Sequence, residues 1–244
     1  MRLITGCNEQ YLQRMRAYLT SLQEYADFDV TFITVGFDWG SPFSKITPVR
    51  MDREQNEGAP PQSEAVQHGS FLSVLEGKVT EVLLCTDGDF TMQRALDDDE
   101  KALLSLKHGE VVTSWNGGPN ETLTTEAGRL GLKVPYDSLV EDWGEIVKTK
   151  PIYNVGFIGM TRKTWQQVYD LYMKNWERVG EYFTHPARQQ WLISWCLPEL
   201  GLDVKVAPWS LHAHGHFGPK PGMTRLGDGS IAVDGKLAAF RHYL

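Results

Sequence analysis

The chain has 244 residues, 41% hydrophobic and 23% charged, an ordinary globular balance that lets a core bury roughly 70–75% of the unfolded surface without staples. A formal net charge of -7 argues against a general phosphate-backbone binder, although a local basic groove fits inside an acidic total. The three cysteines, Cys7, Cys85 and Cys196, are odd in number and widely spaced, which speaks for reduced, buried thiols and against a disulfide framework or zinc ribbon.

The N-terminus, MRLITGCNEQY, enters a strand-like run and lacks the long apolar core of a signal peptide. No run reaches membrane-spanning length, so the expectation is a cytosolic protein. Arg2 to Thr5 reads as a buried strand ended by Gly6. Glu9 to Tyr25 carries apolar residues in steps of three and four, the mark of an amphipathic helix. Val30 to Val35 is a second strand, rich in β-branched residues. This β-α-β opening predicts an open parallel sheet with a crossover helix. Gly36 to Pro61 reads as loop with one short strand near Ile46 to Val49, and Gln62 to Leu75 as helix. Val82 to Cys85 is a strand, Asp97 to Leu106 a helix and Glu110 to Ser114 a strand. WNGGPNETLTTEAG follows as a glycine-rich loop into a short helix. Tyr153 to Met160 reads as strand, Thr164 to Val179 and Ala187 to Leu197 as helices. The tail predicts strands around Val204 to Ala207 and Ile231 to His242, with Asp234-Gly235 as a hairpin turn. No repeat or linker interrupts the pattern, so residues 1–244 are read as one α/β domain.

The segment EVLLCTDGDFT, Glu81 to Thr91, raises the question of function. On a strand, positions i and i+2 share a face, so Asp87 and Asp89 can converge. Gly88 between them would let a ligand approach the backbone. Two convergent carboxylates at a strand end make a hard oxygen site for Mg²⁺ or Mn²⁺ held jointly with substrate phosphates. The plain alternative is an acidic turn that closes a strand.

Four motifs in order give the chain a resemblance to nucleotide-diphosphate-sugar glycosyltransferases of the GT-A fold, closest to the glycogenin-like family 8. ITGCNEQY resembles that family's first strand and N-x-x-Y turn, with Asn8 and Tyr11; the resemblance implies that Tyr11 stacks on uracil and that Thr5 and Gly6 line the nucleotide. VLLCTDGDF resembles the strand ending in D-x-D. YNVGFIGM resembles the F-N-x-G strand lining the donor sugar, here Asn154 and Gly156. KLAAFRHYL resembles the strand bearing a third metal ligand, here His242. The implied fold is a Rossmann-like open mixed sheet flanked by helices, with residues 1–115 as nucleotide-binding half and 116–244 as donor-sugar and acceptor half. The implied activity is transfer from a UDP-sugar, with retention, aided by Mn²⁺ or Mg²⁺ on Asp87, Asp89 and His242. Two departures stand out. The family's Asp-Gln pair is replaced in QQWLIS by Gln189 and Gln190, to which the resemblance assigns the catalytic-site position. The family's G-x-x-K-P-W is absent after His242, and a Lys-Pro pair occurs earlier, so Lys220 is the expected diphosphate lysine.

HAHGHFGPK sets His212, His214 and His216 at alternate positions. An extended segment would aim all three to one side, toward zinc or toward the diphosphate, with His216 nearest Lys220. The alternative is a surface loop with two solvated imidazoles. Asp97, Asp98, Asp99 and Glu100 read as helix-capping acids, not as a metal cluster. Trp115, Asn116 and Gly117 could meet a sugar, while Trp115 fits core packing equally. The helix with Trp165, Tyr169, Tyr172 and Trp176 reads as a buried face. Two rivals remain open at this stage. DGDFT also fits the D-x-D-x-T nucleophile motif of haloacid-dehalogenase-like phosphatases, and a non-catalytic nucleotide-sugar binder fits the missing acid. The acceptor is not legible; a glycan, lipid head group, protein side chain or small metabolite is open, and a modified nucleic-acid base is the least expected.

Overall fold

Strand β1, Arg2–Asn8, opens the computed structural model, which describes residues 1–56, 69–185, 188–214 and 222–242. Its alternation sorts the molecule into two layers. Leu3 and Cys7 join one apolar cluster and Ile4 another, because successive strand side chains point to opposite faces. The strand does not end at Gly6. Gly6 pairs with Ile33, and a side chain there would press on the Ile33 backbone, so the glycine serves a close approach of two strands and not a turn.

A 3₁₀ turn at Glu9–Tyr11 leads into helix α1, Leu12–Tyr25, whose Met15, Tyr18, Leu19 and Leu22 are buried. Strand β2, Asp29–Val35, then runs parallel to β1, as the β-α-β pattern predicts. Strand β3, Ile46–Met51, is a parallel edge strand, a position that tolerates Pro48. Most of the helix expected over Gln62 to Leu75 lies outside the described residues. Its described end is a single 3₁₀ turn at Ser70–Ser73.

Strand β4, Val82–Thr86, pairs with β1 on the side away from β2. Strand β5, Phe90–Met92, was not anticipated; the run after the aspartates is too short to show a period. Helix α2, Asp98–Leu103, is shorter than expected but starts as the acids foretold. Asp97 and Glu100 form a reciprocal capping box. Strand β6, Glu110–Trp115, precedes three short helices: α3, Leu123–Arg129, α4, Tyr136–Trp143, and α5, Ile146–Thr149. The sequence reading passed over α4 and α5, neither of which has a side-chain N-cap to announce it.

Strand β7, Tyr153–Thr161, helix α6, Arg162–Tyr182, helix α7, Arg188–Glu199, and strand β8, Asp203–Val206, follow within a few residues of expectation. Beyond them lie β9, His212–His214, β10, Met223–Arg225, β11, Ile231–Val233, β12, Lys236–Leu237, and β13, Phe240–His242. The hairpin region expected over Ile231 to His242 comprises three short strands. Asp234-Gly235 does make the hairpin turn between β11 and β12, with φ of 50° and 80°, the double positive φ that this dipeptide favours.

The main sheet has the order β3-β2-β1-β4-β7-β6-β8, and β7 alone runs antiparallel to its neighbours. Helices α3 to α7 bury one face, where Trp143, Trp165, Tyr172, Trp191 and Trp195 interlock. The aromatic face of α6 is therefore core, and Trp165 donates its indole N–H to the Leu83 carbonyl at 3.0 Å. Helix α1 and a small sheet, β5-β13-β9, cover the other face. Cys7, Cys85 and Cys196 are all buried and outside any disulfide. Among the described residues no helix is long and apolar enough to cross a membrane.

Candidate active site

The sheet order creates an opening. From β1 the chain continues to β2 on one side, while β4 lies on the other, so the carboxyl ends of β1 and β4 form a topological switch point. Their pairing stops at Ile4 and Cys85. Beyond that register β1 runs on through Thr5 to Asn8, and β4 leads through Thr86 into Asp87 to Asp89.

Asp87 and Asp89 follow the carboxyl end of β4 at this switch point, though not through strand periodicity. Strand β4 ends at Thr86, Gly88 and Asp89 form a turn, and Phe90 starts β5. The chain thus leaves the main sheet and enters the small one inside the D-G-D triplet. Gly88 does not open the backbone to a ligand as expected, because a Cβ there would meet Met15 of α1 at 3.0 Å; the glycine admits the helix. In the small sheet β13 pairs antiparallel with β5, opposing His242 to Phe90. That pairing carries the buried His242 imidazole to the aspartates. Its Nε2 lies 3.1 Å from Asp89 Oδ1 and 3.9 Å from Asp87 Oδ2. One ligand atom from each residue falls within 4.8 Å of the others.

Strand β7 packs against Asp87. Its register against β6 jumps from Thr113–Ile158 to Ser114–Asn154, a bulge of the kind that re-aims backbone beside functional sites. The Gly156 carbonyl accepts the Asp87 N–H at 2.9 Å, and Asn154 Oδ1 accepts the Gly156 N–H at 3.0 Å. A Cβ at Gly156 would collide with Asp87 Oδ2. On the opposite side, Tyr18 of α1 shares a 2.6 Å hydrogen bond with Thr86 Oγ1. Burial pushes the Tyr18 phenol far above its ordinary range, and Asp87 and Asp89 add to the rise. The buried Cys85 thiol is raised by the same two causes, burial first and then Asp87. The negative charge of Asp87 is thus felt by both buried neighbours, and that of Asp89 by Tyr18, as smaller effects than burial.

Two carboxylates and one imidazole suit a divalent cation of the Mg²⁺ or Mn²⁺ kind, which takes oxygen and tolerates a nitrogen ligand. Other residues singled out in the sequence lie as follows. Thr5 is fully buried, and Thr5 Oγ1 and Asn8 Oδ1 are buried without a hydrogen-bond partner among the described residues. Tyr11 is half-buried, with the Arg14 guanidinium 5.2 Å from its ring centroid. Gln189 is buried and Gln190 half-buried on α7; neither belongs to the Asp87, Asp89, His242 group. That helix packs under β7, where Ser194 Oγ accepts the Tyr153 N–H at 3.1 Å. Trp115 stacks on Tyr153 at 5.5 Å, and Asn116 is buried beside it. His216 and Lys220 lie outside the described residues.

His212 and His214 correct the surface-loop alternative, since both are fully buried. Strand β9 pairs parallel with β13, placing His214 beside His242 and His212 beside Phe240. Sequence reasoning also missed Ser114, whose hydroxyl bonds His212 Nδ1 at 2.7 Å, and Phe90, whose ring stacks 4.4 Å from that of His242. Only the alternation in His212-Ala213-His214 hinted at a strand there.

Fold and site together define a GT-A-like α/β sheet with an acidic, metal-competent switch point. No protein-family model and no curated protein matches the sequence. Solved structures do match in fold. The galactosyltransferase LgtC, in complex with donor and acceptor sugar analogs, superposes with a TM-score of 0.59 at 12% identity, over 100% of this chain and 87% of that one. An active-site glutamine-to-glutamate mutant of LgtC gives the same TM-score at 10% identity and the same coverage.

Proposed function

We propose that the protein is a metal-dependent glycosyltransferase, moving a sugar from a nucleotide diphosphate, a UDP-sugar first, to an acceptor. The observation that carries this is the convergence of Asp87, Asp89 and His242 at the switch point of the sheet. The fold shared with LgtC, crystallised with donor and acceptor sugar analogs, supports it. In this reading residues 1–115 bind the nucleotide and 116–244 the donor sugar and acceptor.

Asp87, Asp89 and His242 would hold Mn²⁺ or Mg²⁺, which when bound offsets negative charge on the departing diphosphate as a Lewis acid. The rest falls to the chain itself. Thr5 and Asn8 present buried oxygens to the nucleoside, Gly6 keeps β1 close to β2, and Tyr11 offers a ring face to the base. Asn154 and Gly156 set the height of the Asp87 carboxylate and line the donor sugar. His216 and Lys220 are assigned to the diphosphate, and Gln189 and Gln190 to the sugar side. Retention of anomeric configuration and a reducing, cytosolic setting complete the reading.

The test is a thermal-shift panel with UDP, UDP-glucose, UDP-galactose, UDP-N-acetylglucosamine, GDP and TDP, each with and without Mn²⁺. A ligand that binds only the folded state raises the melting temperature by mass action. A rise that needs both a nucleotide and Mn²⁺ supports the proposal. No rise with any pair overturns it and directs attention to phosphate-ester hydrolysis by Asp87.

A further inference from the structure

Four buried rings lie nearly parallel between the main sheet and the metal-competent group. Phe157 of β7 stacks on His212 of β9, 4.8 Å apart at 16°. His212 stacks on Phe90 of β5, 5.0 Å at 16°. Phe90 stacks on His242 of β13, 4.4 Å at 24°. His212 also lies 5.7 Å from His242 at 26°. Phe90 and Phe157 are themselves 6.5 Å apart, so the rings make a compact cluster and not a single file; packed against it, the imidazole whose Nε2 faces Asp87 and Asp89 has little room to rotate.

A second phenylalanine at 212 would fill the same space. The imidazole adds an anchor, because Nδ1 bonds the hydroxyl of Ser114, itself buried on β6. The bond ties the small sheet to the main one, 2.7 Å across. Neighbouring His214 is tied the same way, its Nε2 donating to the Trp115 carbonyl at 2.8 Å. Since β9 is in register with β13, both ties reach the strand that carries His242.

We infer that His212, pinned by Ser114, is a positioning residue for His242: it sets the plane in which that imidazole meets a divalent cation. The inference rests on the metal reading above. Partners one step behind a metal-binding histidine orient it and tune affinity, and a buried stack does so with little reorganisation when the ion arrives.

The experiment measures Mn²⁺ affinity by the electron-paramagnetic-resonance signal of free Mn²⁺, alone and with UDP, alongside the melting temperature of the metal-free protein. The proteins are the native chain, Asp89→Asn, His212→Leu, His212→Phe and Ser114→Ala. His212→Leu should bind Mn²⁺ about tenfold more weakly, the lower end of such losses. His212→Phe, which restores a flat ring, should recover most of that. Ser114→Ala, which keeps the ring and removes the anchor, should fall between and supplies the measurement if His212→Leu does not fold. Native affinity in Ser114→Ala and in folded His212→Leu, with Asp89→Asn impaired, overturns the inference and leaves the metal reading standing. Equal weakness of His212→Phe and His212→Leu removes ring packing as its means. Absence of Mn²⁺ binding by the native chain, or native affinity in Asp89→Asn, overturns the metal reading and this inference with it.

Discussion

Replacing Gly156 with alanine separates the sheet's needs from those of the site. The added methyl would overlap Asp87 Oδ2 and stand 2.9 Å from Asn154 Oδ1 and 3.0 Å from Asp87 Cγ. Gly156 is not among the glycines with positive φ, so alanine meets no backbone penalty and the whole effect is spatial. Overpacking a buried position costs typically about 1–3 kcal/mol. Here the obstructing atoms are side-chain ends that can swing, which places the cost near the lower bound of about 1 kcal/mol, or about 2–4 °C in melting temperature for a domain of this size. The cheapest relief is rotation of the Asp87 carboxylate, and that takes one arm out of the Asp87, Asp89, His242 group. Mn²⁺ affinity should therefore fall at least about tenfold, some 1.4 kcal/mol. Calorimetric titration of Mn²⁺ and melting of the metal-free variant read the two quantities separately. A drop of more than about 8 °C with native Mn²⁺ affinity would show that the strain goes into the sheet and refute the reasoning.

Asp89→Asn should abolish sugar transfer and leave the circular dichroism spectrum and melting temperature near native; retained transfer removes Asp89 from the chemistry. Tyr11→Ala should weaken nucleotide binding by about 1–3 kcal/mol if the ring stacks on a base, and unchanged affinity takes Tyr11 out of the site. Asp97→Ala should cost about 1 kcal/mol through loss of the capping box, with Mn²⁺ affinity unchanged in the same preparation. The Asp97 carboxyl is held below its ordinary value by the hydrogen bond from Lys236 and then by the Glu100 N–H. Its contribution is therefore fully present above the unfolded carboxylate pKa and lost as pH falls through the lower folded one. Melting curves of the native and Asp97→Ala proteins should converge on that acid limb, and a gap that persists there contradicts the assignment.

Much of the site was legible because local chemistry and global placement agree where a strand runs into a charged triplet. The apolar run Val82 to Cys85 names a buried strand, and the two aspartates after it name an acidic strand end. The acids from Asp97 to Glu100 announce a helix start, because a capping box is satisfied within four residues. The Asp234-Gly235 turn is legible for the same reason. By contrast, β5 and β9 are three residues each, too short for a period to appear. They exist because β13 lies between them, and pairing with a strand elsewhere along the chain leaves no trace in local sequence. Gly6 and Gly88 show the same limit. Gly6 was read as ending a strand and Gly88 as admitting a ligand, yet Ile33 and Met15 occupy the space each leaves.

The sequence by itself determined the layered α/β order, the buried thiols and the two carboxylates at the end of β4, since hydrophobic period, cap chemistry and charge are properties of neighbours along the chain. Only the tertiary structure decided how those carboxylates converge. The turn at Gly88 hands the chain from one sheet to another, β13 brings His242 from far along the chain to within 3.1 Å of Asp89, and Ser114 holds His212 in the stack behind it. These are contacts between elements, and they are set by packing: each follows from which faces the two sheets must bury against one another.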